Sequence, residues 1–472
     1  MLVSGLLMLS LSAPASWAQT VFTSTLEDQQ SVSVTVYNNG QGLVREQRQI
    51  QLPSGTGELR FMDVASAINP VTVSVKSLLS PDSFFISEQN YEYDLISDSK
   101  LLDKYVGKQL KIEQWNEFQD RKELTEATLI ANNGTPIYKI FDQIYLGHPG
   151  TVIVPEIPGN LIEKPTLTWE FENRSEAPQE LEVTYLTGGL SWKADYVVTL
   201  DDKDEALDLA SWVTLDNTSG TGYVNAGLKL VAGDVNRVMQ APMAKYGNVR
   251  AEMMMMADAR APQFQEQAFF EYHIYDLQRK TTLKNNQTKQ INLIEAFGVK
   301  AEKEYRVQGN GYYWTQPLRG EASKDAVEVY VSFKNSESNK LGMPLPAGIM
   351  RFYKKDASGA AQFVGEDSIQ HTPKDEEVRM KLGKAFDITS ERIQTDFRQL
   401  TNNLYESEWE ITLRNHKKDP VTVKVFEPIN GNWKILTASH KETKVDAFTV
   451  RFDVLIPSDG EVKLKYRVQV GI

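Results

Sequence analysis

Two large aromatics four residues apart, Trp192 and Tyr196, are the residues of this chain whose type and spacing most invite a ligand. In an extended strand alternate side chains share a face, so Trp192, Ala194 and Tyr196 point one way and Lys193 and Asp195 the other. Exposed, such a pair would be a platform for a sugar or a peptide. Buried, it would be a core anchor, each ring covering a large apolar area and turning one polar tip outward. Rings of this size favour the core.

Other residue sets point to chemistry less well. Asp201, Asp202, Asp204, Glu205 and Asp208 form an acidic run. Calcium needs several oxygens on a tight loop, usually turned by a glycine. No glycine lies between Thr199 and Ala210, so a solvated strand connection is the better reading. The five histidines, His148, His273, His371, His416 and His440, stand in no HxH or HExxH arrangement, and no metal site is spelled out. Ser97-Asp98-Ser99-Lys100 has the S-x-x-K spacing of some acyl enzymes but lacks their partner motifs, and it reads as chance. Gly189-Leu190-Ser191 runs into Trp192-Lys193, so there is no G-x-S-x-G, and no glycine loop cradles phosphate. Met253–Met256 cannot all face one ion from a regular strand, and reads instead as adaptable apolar side chains on a loop suited to a partner contact. The residues name no catalytic group, no metal and no cofactor. Trp192 and Tyr196 remain as the candidate ligand-binding pair.

The elements that would position them are strands. Val32, Val34 and Val36 alternate with Ser31, Ser33 and Thr35. The same period-2 pattern runs through Trp409–Leu413, Val421–Val425, Phe448–Val454 and Val462–Val470, and predicts antiparallel sheets with one face on a core and one in water. Asn39-Gly40, Asn133-Gly134, Asn430-Gly431 and Asp459-Gly460 sit between strand-like runs, where Asn-Gly and Asp-Gly suit the φ > 0 of tight hairpins. A 3.6-residue period is weak and confined to Ala385–Leu400 and Met62–Ala67.

The ends and the composition place this β-rich chain. Residues 1–18, MLVSGLLMLSLSAPASWA, carry an apolar run, no charged side chain and a small-x-small close at Ser16-Trp17-Ala18, and they read as a signal peptide cleaved after Ala18. The run is too short to span a bilayer, and no later segment reaches the length of about 20 apolar residues that a spanning helix needs. The mature chain is therefore expected to be exported and to have no transmembrane segment. The absence of cysteine removes disulfides and thiol chemistry, and suits a periplasm better than a disulfide-rich secreted or cell-surface setting. The net charge of −12 argues against nucleic acid and anionic lipid as partners. The fold class expected is all-β: tandem antiparallel, immunoglobulin-like β-sandwich domains with a small β-barrel-like unit between them. The boundaries are 19–100 for an N-terminal sandwich, 101–165 for the small unit and 166–472 for the main β domain or domains. Residues 239–267, rich in Ala, Gln and Met and holding Pro242 and Pro262, break the strand pattern and read as a long mobile loop.

Several of these strands carry a recognisable pattern. Trp192-Lys193-Ala194-Asp195-Tyr196, then Asp216-Asn217-Thr218, then Ala232-Gly233-Asp234 follow one another in fixed order. Arg414-Asn415-His416 and the Glu427-Pro428 corner complete it, and Val34–Val64 looks like the unit that precedes it. In these features the chain resembles the bacterial domain of unknown function 4139, found in exported proteins distantly similar to the mucoidy inhibitor A group. It has no long coiled-coil insert between the N-terminal unit and the main domain. The resemblance implies an all-β fold and an envelope setting, and no agreed reaction. The expected role is a non-enzymatic binding or structural module that presents loops or a strand edge to another envelope protein or to a surface glycan. The alternative is a periplasmic hydrolase of peptide or glycan working through paired carboxylates from separate strands.

Overall fold

The computed structural model describes residues 20–116, 120–158, 161–233, 263–318, 320 and 322–472. Residues 1–18 and the run Met253–Met256 lie outside the described residues. Of the 239–267 stretch only Gln263 onward is described, and Phe264–Phe269 is a strand there. The protein is all-β, with one short α-helix among the described residues, Asp98–Tyr105. No helix among the described residues is long and apolar enough to cross a membrane.

Two sheets build the N-terminal part. One runs Val21–Ser24, Gly55–Met62, Thr166–Asn173, Phe84–Glu92. The other contains Gln29–Tyr37, Gln41–Ile50, Gln179–Gly188 and Ser74–Ser77, and continues through Tyr223–Ala232 into the hairpin Phe264–Phe269/Tyr272–Leu277. The alternating Val32, Val34 and Val36 face inward, opposite Leu59, Phe61 and Trp169 in one core. Tyr223–Ala232 lies parallel to Gln29–Tyr37, so the sheets are not purely antiparallel. Such pairings arise here because strands far apart in sequence meet as neighbours, where no tight hairpin dictates direction.

The segment between Phe84–Glu92 and Thr166–Asn173 forms a small unit with its own core of Leu110, Ile112, Leu129 and Tyr138. Its five strands run Gln143–Leu146, Ile137–Ile140, Arg121–Ala131, Gln109–Asn116, Thr151–Ile153. This is an open sheet, and the expected barrel does not close. The two outer strands are only four and three residues long, too short to wrap and meet. The helix covers the core instead through Leu102 and Tyr105. Ser97 caps that helix, its Oγ accepting from the Lys100 backbone N–H.

At Gly189 the chain leaves one sheet and enters another. Gly188 ends the strand paired with Gln41–Ile50, and Leu190 begins the strand paired with Ala206–Asn217. Gly189 has φ +74°, and a Cβ on it would lie 2.7 Å from the Thr218 carbonyl oxygen, so only glycine turns this corner without strain. The next sheet is organised by one 22-residue strand, Gln287–Gln308. Its first half pairs with Ala206–Asn217 and contributes Leu293 and Val299 to the first core. Its second half pairs with Val421–Pro428 and contributes Tyr305 and Val307 to a second core. That second core is closed from the other side by the sheet Ser323–Asp325, Ile388–Thr401, Leu404–Asn415, Gly460–Gly471, Asn432–Ala438. The inward residues of the alternating runs fill it, among them Trp409, Val425, Phe452 and Leu464.

The weak 3.6-residue period is not a helix in either place. Ile388–Thr401 is a strand, and its inward positions are Ile388, Ser390 and Arg392 while Ile393 faces outward. Polar residues on the buried face had erased the period of two. Met62–Ala67 is a turn in which Asp63 takes φ +67°.

Candidate functional site

Trp192 and Tyr196 sit on one strand face, with Ala194 between them, in the first core. Trp192 is 4% exposed and its indole N–H donates to the Val231 carbonyl at 3.1 Å. Tyr196 is fully buried and its hydroxyl donates to the Pro346 carbonyl at 2.7 Å. Burial raises the Tyr196 hydroxyl well above its ordinary pKa. Each ring's polar tip is therefore spent on backbone, and neither ring turns a face to solvent.

The strand-end asparagines of the pattern have a related task. Asn217 donates to the Thr221 and Lys284 carbonyls and accepts from the Ser219 N–H. Asn415 donates to the Asp419 and Pro457 carbonyls and accepts from the Lys417 N–H. Asn173 and Asn335, outside the pattern, tie turns in the same manner. Each is a side chain that closes a turn the backbone alone leaves unpaired.

The other sequence candidates are dispersed. In the acidic run, Asp201 accepts from the Glu205 and Ala206 N–H groups, Asp208 from Gly298, and Asp204 binds two lysines. His273 meets Glu266 across a hairpin at 2.8 Å, and His148 meets the Tyr138 hydroxyl. Lys100 of the S-x-x-K pairs with Asp94. Among the described residues no group of three or more His, Asp or Glu could hold a metal ion.

A cleft at one end of the second core brings together residues that were not singled out. It has a volume of about 450 Å³. One wall is Gly309, Asn310, Tyr312 and Tyr313 of the turn that follows the long strand; the other is Arg392 and Gln394. The Arg392 guanidinium is buried. Its Nε donates to Asp325 Oδ2 at 2.6 Å and its Nη1 to Glu427 Oε1 at 2.5 Å. The second Glu427 oxygen accepts from the Tyr313 hydroxyl at 3.0 Å, and that hydroxyl accepts from the Asn310 N–H at 2.8 Å. A Cβ on Gly309 would collide with Glu427 Oε2, so the turn passes this carboxylate only as glycine. Tyr313 packs on Trp409 with ring centroids 4.6 Å apart, and Trp314 anchors its indole N–H on the Pro428 carbonyl at 2.7 Å.

Burial raises the Glu427 carboxyl above the ordinary range, opposed by the charge and hydrogen bond of Arg392. Burial and the Glu427 charge push the Tyr313 hydroxyl up as well. Arg392 Nη2 and the buried Tyr466 hydroxyl face each other without a well-formed hydrogen bond, and the guanidinium there partly offsets the rise that burial imposes on that hydroxyl. Above this floor the rim is polar and aromatic, with exposed Gln308 and Asn310 and with Tyr312 69% exposed. The arrangement can hydrogen-bond and stack. It is poorly built for proton transfer, because the buried carboxylate has both oxygens occupied.

Asp325, Arg392 and Glu427 lie 67 and 35 residues apart, which is why spacing did not reveal them. The available signals were an arginine at an alternate position of Ile388–Ile393 and the aromatic run Tyr312–Trp314 after Gly309 and Gly311. A search of curated proteins finds no match to this chain. A family model described as a domain of unknown function, DUF4139, matches residues 181–470, which include the corner at Gly189, the Asn217 and Asn415 turns and the whole of this cleft. The chain belongs to the DUF4139 family.

Proposed function

We propose that this is a non-enzymatic binding protein of the cell envelope, and that the cleft beside Arg392 takes a glycan. The observation that carries the reading is the pairing of an exposed tyrosine ring, Tyr312, with amide side chains above a buried guanidinium. Sugars offer an apolar ring face to an aromatic and a rim of hydroxyls to amides and charged groups. The cleft volume falls within the range of about 300–1,000 Å³ usual for small-ligand sites. The envelope setting rests on the leader-like residues 1–18 and the absence of cysteine.

The hydrolase alternative has one point in its favour, since Asp325 lines the cleft, Glu427 lies beneath it and burial raises the second. Glu427 is nevertheless sealed beneath Arg392 and Tyr313, where it cannot hand a proton to a leaving group. Titration of cell-wall amino-sugar oligosaccharides against tryptophan fluorescence, with Trp409 beside the cleft as reporter, tests the proposal. A saturable change that disappears in Tyr312→Ala is expected. Equal binding by Tyr312→Ala would sink the site, and release of shorter sugars would turn the reading to hydrolysis.

A further inference from the structure

A second cleft, of about 280 Å³, lies where the long strand passes from the first core to the second. Four lysines line it, Lys303, Lys354, Lys384 and Lys417, against a single carboxylate, Asp204. Lys303 and Lys354 each take one Asp204 oxygen, at 2.7 and 2.6 Å. Lysine charge and hydrogen bonds hold that carboxyl below its ordinary pKa against the opposing effect of burial. Asp204 is thus fully used by two of the four. Lys417 has its ammonium 5.6 Å from the centre of the Tyr305 ring and no carboxylate partner among the described residues. Lys384 forms no ion pair or hydrogen bond through its ammonium among the described residues. Glu328 lies in its field, but Lys381 and the Tyr330 hydroxyl already hold Glu328. The floor between the lysines is apolar, made by Tyr305, Val331 and Leu200.

The chain as a whole carries a charge of −12, so a pocket with three more ammonium groups than carboxylates runs against the general field. Like charges gathered around a low-dielectric floor repel one another and lower stability unless an anion joins them. Junctions between two cores are also where small-ligand sites concentrate. We propose that this cleft binds a small organic anion with an apolar stem, its acid group met by Lys384 and Lys417 and its stem lying on Tyr305 and Val331. The acid group is a carboxylate or a phosphate monoester. This site is separate from the cleft beside Arg392 and does not depend on the glycan reading.

The test is calorimetric titration of the full chain with four probes at low salt: hexyl phosphate, hexanoate, hexanol and inorganic phosphate. Saturable binding of hexyl phosphate or hexanoate is expected, and the tighter of the two identifies the acid group. Affinity should fall by about tenfold or more in Lys384→Glu/Lys417→Glu, and again on raising the salt. Neither lysine holds a structural ion pair, so the variant should keep the parent circular dichroism; Lys384→Gln serves should it not, with a smaller loss. Tyr312→Ala should bind the probes as the parent does. Absence of saturable binding by both acids, binding of hexanol as tight as theirs, inorganic phosphate as tight as hexyl phosphate, or unchanged affinity in the folded lysine variants would each overturn the proposal.

Discussion

Arg48 and Arg392 are both buried arginines paired with a buried glutamate, yet one is enclosed between sheets and the other stands at the wall of a cleft. Arg48 spends its whole fork on the protein. Nε and Nη2 reach Glu46 Oε2 at 3.2 and 3.1 Å, Nη1 reaches the Ser24 carbonyl at 3.2 Å and Nη2 the Met62 carbonyl at 2.9 Å. Its guanidinium lies 3.6 Å from the centre of the Phe61 ring, between the two N-terminal sheets. Arg392 is bound by two carboxylates, sets its remaining nitrogen against the buried Tyr466 hydroxyl and forms part of a cleft wall. A buried guanidinium that is fully satisfied holds strands together. One that also lines a cleft brings its positive charge to the edge of a cavity.

The sharpest way to break this contrast is to remove the enclosed pair. Arg48→Ala leaves Glu46 buried without its partner, which should cost about 3–5 kcal/mol in urea unfolding. Glycan binding at the distant cleft should persist wherever the variant remains folded. A loss below about 1 kcal/mol would mean that the pair is not structural in the sense argued. Arg392→Lys then tests the pair at the cleft. Lysine keeps the charge but cannot reach Asp325 and Glu427 in two directions at once. Stability should fall by about 1–3 kcal/mol, and glycan binding should be lost in the folded protein. If binding survives, the guanidinium is as structural as Arg48 and the contrast collapses.

Gly309→Ala probes the same floor from the turn above. The added methyl would overlap Glu427 Oε2 and come within 2.5 Å of the Tyr313 hydroxyl. Relief requires the turn to lift, at about 1–3 kcal/mol. Binding should weaken with it, because Asn310 and Tyr312 ride on that turn. Unchanged affinity and melting temperature together would show that the turn adapts and does not define the cleft.

The legibility of the molecule follows from what its inward positions carry. Phe452, Leu464 and Tyr466 stand on alternating runs whose buried residues are apolar, so the all-β class could be read directly. Ile388–Ile393 could not be read in that way. Its buried face holds Ser390 and Arg392 while Ile393 points out, and this inversion marks the strand that carries the cleft's cation. Polar residues in place of core residues hide the element and signal the site at once. The residues that make the family pattern visible, Asn217 and Asn415 among them, tie turns; turns of this kind leave strong local signatures. Asp325, Arg392 and Glu427 come from three strands far apart in sequence; strand pairing sets Asp325 beside Arg392, and the packing of a second sheet brings Glu427 to them.

The smallest expected effect on stability belongs to the residue that should matter most for binding. Tyr312 touches little beyond the edge of Tyr313, with ring centroids 6.4 Å apart at 70°. Tyr312→Ala should therefore shift the unfolding free energy by no more than about 0.5 kcal/mol. If its ring is the platform, glycan affinity should fall by about tenfold or more under the same conditions. Tyr312→Phe separates the two parts of the side chain: a ring that stacks is retained and a hydroxyl that bonds is removed. Recovery of affinity in the phenylalanine variant assigns the contact to the ring face. Failure to recover assigns it to the hydroxyl, and moves the ligand toward Asn310 and the Arg392 floor. Affinity unchanged in both variants would leave the Arg392 guanidinium without a ligand above it, and the difference between Arg48 and Arg392 would reduce to how many strands each one braces.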